Sequence, residues 1–149
     1  MLSVMLPSSP ESSLQPGLGE APPSDALAIV VPTLNEAEGV GAFVRHLRAV
    51  APQAELVVVD GGSEDATVER LDELGVRIVR DAGRGRAVQM NAGAAASSAP
   101  NLLFLHADTR LPVGVARRVA ETLTPPQVAI GAFSLRLDSR SRGLALVEL

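Results

Sequence analysis

The chain predicts an α/β fold, a mostly parallel open sheet with alternating helices. Three features of the sequence carry that expectation. Short, continuous apolar runs recur at residues 26–31, 56–59 and 102–105, as expected of strands covered on both faces. Stretches with helical spacing lie between them. Short apolar strands that alternate with helices imply parallel pairing through right-handed crossovers.

Taken in order, residues 1–25 are rich in Pro, Ser and Gly, and they read as a flexible tail that cannot bury enough surface to order itself. The remainder, residues 26–149, reads as one domain. Ala26-Leu27-Ala28-Ile29-Val30-Val31 is the first strand, expected to end at Pro32. Residues 36–50 form a helix with Val40, Phe43, Val44 and Leu47 on one stripe. Residues 55–60 are the second strand. Ser63 is a suitable N-cap for a helix over residues 65–74, and Gly75 a suitable stop. A short third strand follows at 76–79, an Ala-rich helix at 86–97, and a fourth strand that leads into His106 and Asp108. A helix is expected over 113–123, stopped by Pro125-Pro126, and a fifth, alternating strand over 128–137. Residues 144–149 look like the first turn of a helix. Their apolar character predicts pairing with another chain, a possible homo-oligomer.

Composition narrows the function. All thirteen basic residues are arginine, so no lysine chemistry is open to the chain, neither a phosphate-loop lysine nor a Schiff base. It has no cysteine, which removes disulfides, thiolate metal sites and cysteine nucleophiles and fits a reducing compartment. A net charge of −4, three Phe and no Trp or Tyr argue against a nucleic-acid partner. No run reaches the roughly 18 apolar residues of a membrane span. The expected location is the cytoplasm, with attachment at the inner membrane face left open.

Three polar strand ends should share one edge of the sheet. These are Pro32-Thr33-Leu34-Asn35-Glu36, Asp60-Gly61-Gly62-Ser63 and His106-Ala107-Asp108. Ligands of open α/β sheets bind at the carboxyl ends of strands. Asp60 or Asn35 alone reads equally well as a turn residue. Asp108 at a strand end suits a divalent cation that also holds substrate phosphates, although it could equally cap the following helix. His106, two residues earlier and so on the same strand face, reads as a second metal ligand or a hydrogen-bond partner. Arg84 and Arg86, beside glycines and a helix start, could meet a pyrophosphate. Arg77 and Arg80 read as surface arginines, and His46 as plain helix surface. Gln89 and Asn91 fall on the first turns of the third helix, facing either a nucleotide or the sheet. The Gly83-Arg84-Gly85-Arg86-Ala87-Val88 run lacks the third glycine of a dinucleotide fingerprint and follows the wrong strand.

Together these segments resemble the family 2 glycosyltransferases of the GT-A fold. Ile29-Val30-Val31-Pro32-Thr33-Leu34-Asn35-Glu36 resembles the opening strand with its Pro-x-x-Asn-Glu. The run from Val57 to Thr67 resembles Val-Asp-Asp-Gly-Ser-x-Asp-x-Thr. Residues 84–93 resemble a Gly-x-x-x-Ala-x-Asn-x-Gly helix start, and His106-Ala107-Asp108 takes the place of Asp-x-Asp. The Gly-Arg-Ala-x-Gln-Met-Asn-Ala-Gly and Leu-His-Ala-Asp-Thr versions resemble a bacterial subgroup. Two positions depart from the pattern: Gly61 stands where it has a second Asp, and His106 where it has the first Asp of Asp-x-Asp.

The resemblance implies metal-assisted transfer of a sugar, with inversion, from a nucleotide-diphosphate donor (UDP- or GDP-linked) to an acceptor it does not name. Pro32, Thr33, Asn35, Glu36, Asp60, Arg84, Arg86, Asn91 and Asp108 would line the donor site. Asp108, with His106 as a weaker second ligand, would hold Mn²⁺ or Mg²⁺. The catalytic base would lie in an acceptor-binding half beyond Leu149. Two other readings stand beside this one. One is a truncated or degenerate nucleotide-binding remnant. The other is a nucleotidyltransferase, disfavoured because no Gly-rich basic loop follows the first strand.

Overall fold

A computed structural model describes residues 26–80 and 82–134. The expected tail at 1–25 and the apolar end at 144–149 lie outside the described residues. The elements are β1 (Leu27–Thr33), α1 (Ala37–Val50), β2 (Glu55–Asp60), α2 (Thr67–Glu73), β3 (Arg77–Val79), α3 (Arg86–Ala95), β4 (Asn101–Phe104) and α4 (Val115–Leu123). The four strands form one sheet in the order β3-β2-β1-β4, and every pairing is parallel.

The strand order explains where the helices lie. From β1 to β2 to β3 the chain moves one way across the sheet; to reach β4 it must turn back past β1. With crossovers of constant hand, a reversal of direction puts the crossover helix on the opposite face. Accordingly, α1, α2 and α4 cover one face, where Val40, Phe43, Val44, Leu47, Leu71, Val115 and Val119 pack with Leu27, Ile29, Val31 and Val58. The other face carries Val30, Val57 and Val59, packed by Ala92 of α3 and by Ala96 just past its end. Each Val, Leu or Ile fully buried here contributes about 1.5–3 kcal/mol. Gly93 lets α3 lie close to the sheet. A Cβ there would stand 2.3 Å from Val30 Cγ1 and 2.8 Å from Val59 Cγ2.

Several boundaries differ from the sequence expectation. β1 runs through Pro32 to Thr33 and pairs Pro32 with Val59 and Thr33 with Asp60. Proline is tolerated because of the side it faces. Val30 takes the Leu105 N–H at 3.0 Å, so Val30 and, two residues on, Pro32 turn their backbone groups toward β4. The β1–β4 pairing ends at Val30 and Phe104. Pro32 therefore has no N–H to give just where β4 leaves the sheet.

Helix α2 begins at Thr67, two residues later than expected, with Ala66 rather than Ser63 at its N-cap. Ser63 is recruited by Asp60 instead. The Gly75 stop is a full Schellman motif: φ is +59°, its N–H bonds Asp72 O at 2.9 Å, and Val76 N–H bonds Leu71 O at 3.2 Å. The strand expected over 128–137 is absent from its described part, 128–134; the remainder lies outside the described residues. There the chain stays beside α4, with Val128 N–H on Pro125 O at 2.8 Å and Gly131 next to Thr122. Alternating residues make a strand only where a sheet edge pairs with them.

Candidate functional site

All four strands run the same way, so the carboxyl ends of β1, β2 and β4 share one edge, and β1/β4 is the point where strand order reverses. Two loops on this edge are bound to each other. Helix α1 opens without a side-chain cap of its own: Glu36 occupies the N-cap and makes no capping bond. The first amides of a helix need acceptors. They come from the loop after β2. Ala37 N–H donates to Asp65 Oδ2 at 3.1 Å, and Glu36 N–H donates to Thr67 Oγ1 at 2.8 Å. Thr67 Oγ1 in turn donates to Asp65 Oδ1, and Thr67 N–H reaches the same oxygen at 3.0 Å. Arg70 returns from α2 to the Ala37 carbonyl. The hydroxyl of Thr67, together with backbone amides, holds the Asp65 carboxyl below its usual value near 3.8, against a smaller opposing effect of burial.

The join continues toward the strand ends. Asn35, at φ +56°, donates its N–H to Ser63 Oγ at 2.9 Å and accepts the Glu64 N–H on Oδ1 at 2.8 Å. Asn tolerates this left-handed conformation better than most residues. Asp60 is buried, and a buried carboxylate must be hydrogen-bonded. Gly62 N–H (2.9 Å), Ser63 N–H (3.1 Å) and Ser63 Oγ (2.5 Å) all donate to it. Thr33 is buried and donates from Oγ1 to Val59 O at 3.3 Å, while Gly61 N–H donates to Thr33 O at 3.0 Å. Thus Pro32, Thr33, Asn35, Glu36 and Asp60 belong to one rigid unit. Within it, the Asn35 amide nitrogen and the Glu36 carboxylate have no protein partner among the described residues.

The β4 side is open. The strand stops at Phe104, so His106 and Asp108 lie in the turn beyond it and not on a shared strand face. Both are exposed. Asp108 has one weak neighbour, the Thr109 hydroxyl at 3.4 Å. His106 Nε2 lies 2.6 Å from Arg86 Nη1. A guanidinium only donates, so this ring nitrogen is the acceptor of the pair. The contact ties the start of α3 to the β4 loop. Arg84 is 3.7 Å from Glu64, with both side chains largely in solvent. Asn91 is exposed on α3, two residues and about 200° round the helix from buried Gln89. It is not joined to the loops at the strand ends.

His46 is not plain surface. Its Nε2 lies 3.0 Å from Leu111 O and 3.1 Å from Leu111 N, so α1 anchors the loop that carries Asp108. Neither periodicity nor a motif marks that contact. Arg77 and Arg80 are surface residues as expected, paired with Glu55 and Asp72. Asp72 raises the pKa of Arg80 further above its ordinary value. Asp65, Thr67 and Gln89 do structural work that the sequence reading did not assign. For the first two a signal existed: α1 lacks a Ser, Thr or Asp at its cap, so its amides needed partners from elsewhere.

As for a metal, no group of three or more His, Cys, Asp or Glu is placed to hold one among the described residues. A cation that also binds a substrate's phosphates needs only one or two protein carboxylates. Asp108, an exposed oxygen donor with almost no protein partner, fits as one of them.

An all-parallel sheet whose strand order reverses at β1/β4, with polar loops gathered at its carboxyl edge, has the architecture of the GT-A fold. The family model for glycosyl transferase family 2 matches residues 28–143, and this chain belongs to that family. It is 31% identical over 104 residues to glycosyltransferase AglJ of Haloferax volcanii, covering 69% of this chain and 34% of that protein. It is 37% identical over 62 residues to a polyprenol monophosphomannose synthase of Mycolicibacterium smegmatis, covering 39% of this chain and 23% of that one. The chain thus spans about a third or less of the length of these two relatives.

Among solved structures, it is similar to mannosyltransferase PcManGT of Pyrobaculum calidifontis, in complex with GDP-Man and Mn²⁺. The TM-score is 0.60 at 22% identity, over 66% of this chain and 32% of that one. The glucosyl-3-phosphoglycerate synthase of Mycobacterium tuberculosis, with Mn²⁺, UDP and glucosyl-3-phosphoglycerate, matches at TM-score 0.53 and 24% identity, over 68% and 42%. At these identities the likeness is one of fold. No helix among the described residues is long and apolar enough to cross a membrane.

Proposed function

We propose that this chain is the donor-binding part of a glycosyltransferase that takes a UDP- or GDP-linked sugar with a divalent cation. The observation that carries this reading is the contrast at one sheet edge. A rigid pair of loops at the ends of β1 and β2 meets an exposed, nearly unpartnered carboxylate in the loop after β4. The first suits a nucleoside, which needs preformed shape and a few placed polar groups. The second suits the charge of a diphosphate and its cation. Two of the solved structures with this fold hold UDP or GDP-Man together with Mn²⁺, which supports the choice of ligand.

In this reading Pro32, Thr33, Asn35, Glu36 and Asp60 form the nucleoside wall, with the Asn35 amide nitrogen and the Glu36 carboxylate as groups able to meet the ligand. Asp108 holds Mn²⁺ or Mg²⁺, and when bound the cation neutralises charge developing on the leaving diphosphate. Arg86, steered by His106, and Arg84 present guanidinium groups to the phosphates. Inverting transfer also requires a carboxylate base beside the acceptor hydroxyl. No described residue is assigned that role.

The test is calorimetric titration of the chain with UDP and with GDP, each with and without Mn²⁺. Binding of one of them, tightened by the metal, is the expected result and names the base. A cooperatively folded chain that binds neither contradicts the proposal and favours a non-catalytic remnant.

A further inference from the structure

The side chain of Gln89 is the buried polar group that the donor site does not yet use. It projects from α3 onto the sheet and is 7% exposed. Its Nε2 lies 2.9 Å from Thr33 O and 3.2 Å from Val59 O, the backbone carbonyls at the ends of β1 and β2. Two carbonyl acceptors leave only one orientation for the amide. The nitrogen must face them and both its N–H groups are used, so Oε1 points elsewhere. That oxygen has no hydrogen-bond partner among the described residues. Among the described residues no fully buried side-chain oxygen goes unpartnered, so Oε1 also keeps contact with solvent.

The surroundings are shaped to admit this side chain. A Cβ on Gly61 would stand 2.5 Å from Gln89 Nε2 and 3.1 Å from its Cδ. Glycine at 61 and glutamine at 89 therefore go together sterically. These are also positions where the motifs quoted above have Asp and Ala. The exchange removes an acidic side chain from the loop after β2 and installs a neutral acceptor from α3 at the same strand ends.

We propose that Gln89 is a specificity-determining residue, whose Oε1 accepts a hydrogen bond from an N–H on the base of the nucleotide donor. The inference rests on the donor-binding reading above. An acceptor held by two bonds from its own nitrogen has a fixed direction, which is what reading a base edge requires. Uracil N3–H and guanine N1–H are donors of the matching kind. The neutral amide adds no charge beside the diphosphate.

The experiment is binding of UDP, GDP, N3-methyl-UDP, N1-methyl-GDP and inorganic pyrophosphate, all with Mn²⁺, to the wild type, Gln89→Met and Gln89→Asn. For whichever nucleotide the wild type binds, methylation of the ring nitrogen should weaken binding about tenfold, the worth of one lost buried hydrogen bond. In Gln89→Met that penalty should fall to about twofold or less while pyrophosphate binds as in the wild type. A wild type that binds parent and methylated nucleotides equally overturns the proposal without any variant. So does a Gln89→Met or Gln89→Asn protein that loses affinity for every ligand alike and keeps the wild-type methylation penalty, because that marks a purely structural amide. A wild type that binds pyrophosphate as well as it binds UDP or GDP overturns base reading but not the cation site. A wild type that binds none of them overturns the donor-binding proposal and this one with it.

Discussion

The two sides of the carboxyl edge spend their polar groups differently. Between β1 and β2, the groups at the strand ends are largely engaged with one another. Asp60 is saturated by its own turn, Asp65 and Thr67 cap a helix that cannot cap itself, and Gln89 bridges both strand ends. After β4, Asp108 is exposed with a single long contact, and its loop is fixed at a distance by His46. The difference shows how this sheet edge is built. Between β1 and β2 the polar groups hold the loops together, whereas the Asp108 carboxylate after β4 is left almost free, as the proposed cation site requires. Pro32 separates the two regimes, because the β1–β4 ladder ends beside it.

Variants that strike the engaged side should cost stability, the most where backbone packing is tightest. Gly93→Ala has the largest expected effect. A methyl group there overlaps Val30 and Val59, and overpacking of this kind costs about 1–3 kcal/mol, with the upper end expected; urea unfolding measures it. Thr67→Val comes next. Thr67 is fully buried, and its loss leaves the Glu36 N–H without an acceptor, for about 1–2 kcal/mol by the same measurement. Thermal unfolding as lowered as in Gly93→Ala would show that the cap carries more of the fold than the packing does.

Asp65 sharpens the comparison through pH. Its folded pKa lies below the ordinary value near 3.8, so its contribution is complete above that value and is lost as pH falls through the lowered one. Asp65→Asn should therefore flatten the acid limb of the stability profile below about pH 4 and leave its shape near neutrality unchanged. Equal acid limbs in the two proteins would assign the sensitivity to other carboxylates. Asp108→Ala has the smallest effect on stability, within about 0.5 kcal/mol, because an exposed side chain with one weak contact holds nothing together.

Much of this edge was legible in the sequence, and what was not has a common cause. The apolar runs from Ile29 to Val31 and from Val57 to Val59 mark buried parallel strands, since both faces of the sheet are covered. Gly75 announced its helix stop through a local rule. That Pro32, Thr33, Asn35, Glu36 and Asp60 gather at one edge was readable because strand ends of a parallel sheet converge. Contacts between distant segments were not. Ser63 looks like a cap from its neighbours, but Asp60 three residues earlier and Asn35 across the edge take it. His46 looks like surface until the loop at Leu111 arrives beside it. Alternation over 128–134 promised a strand but carried no information about a partner edge.

The most direct test of this division is the Mn²⁺-dependent gain in nucleotide affinity, measured by calorimetry in the wild type and in Asp108→Ala. The account predicts that the variant folds normally, binds the nucleotide as the metal-free wild type does, and gains nothing from Mn²⁺. A variant that keeps the full metal-dependent gain would contradict it and place the cation elsewhere.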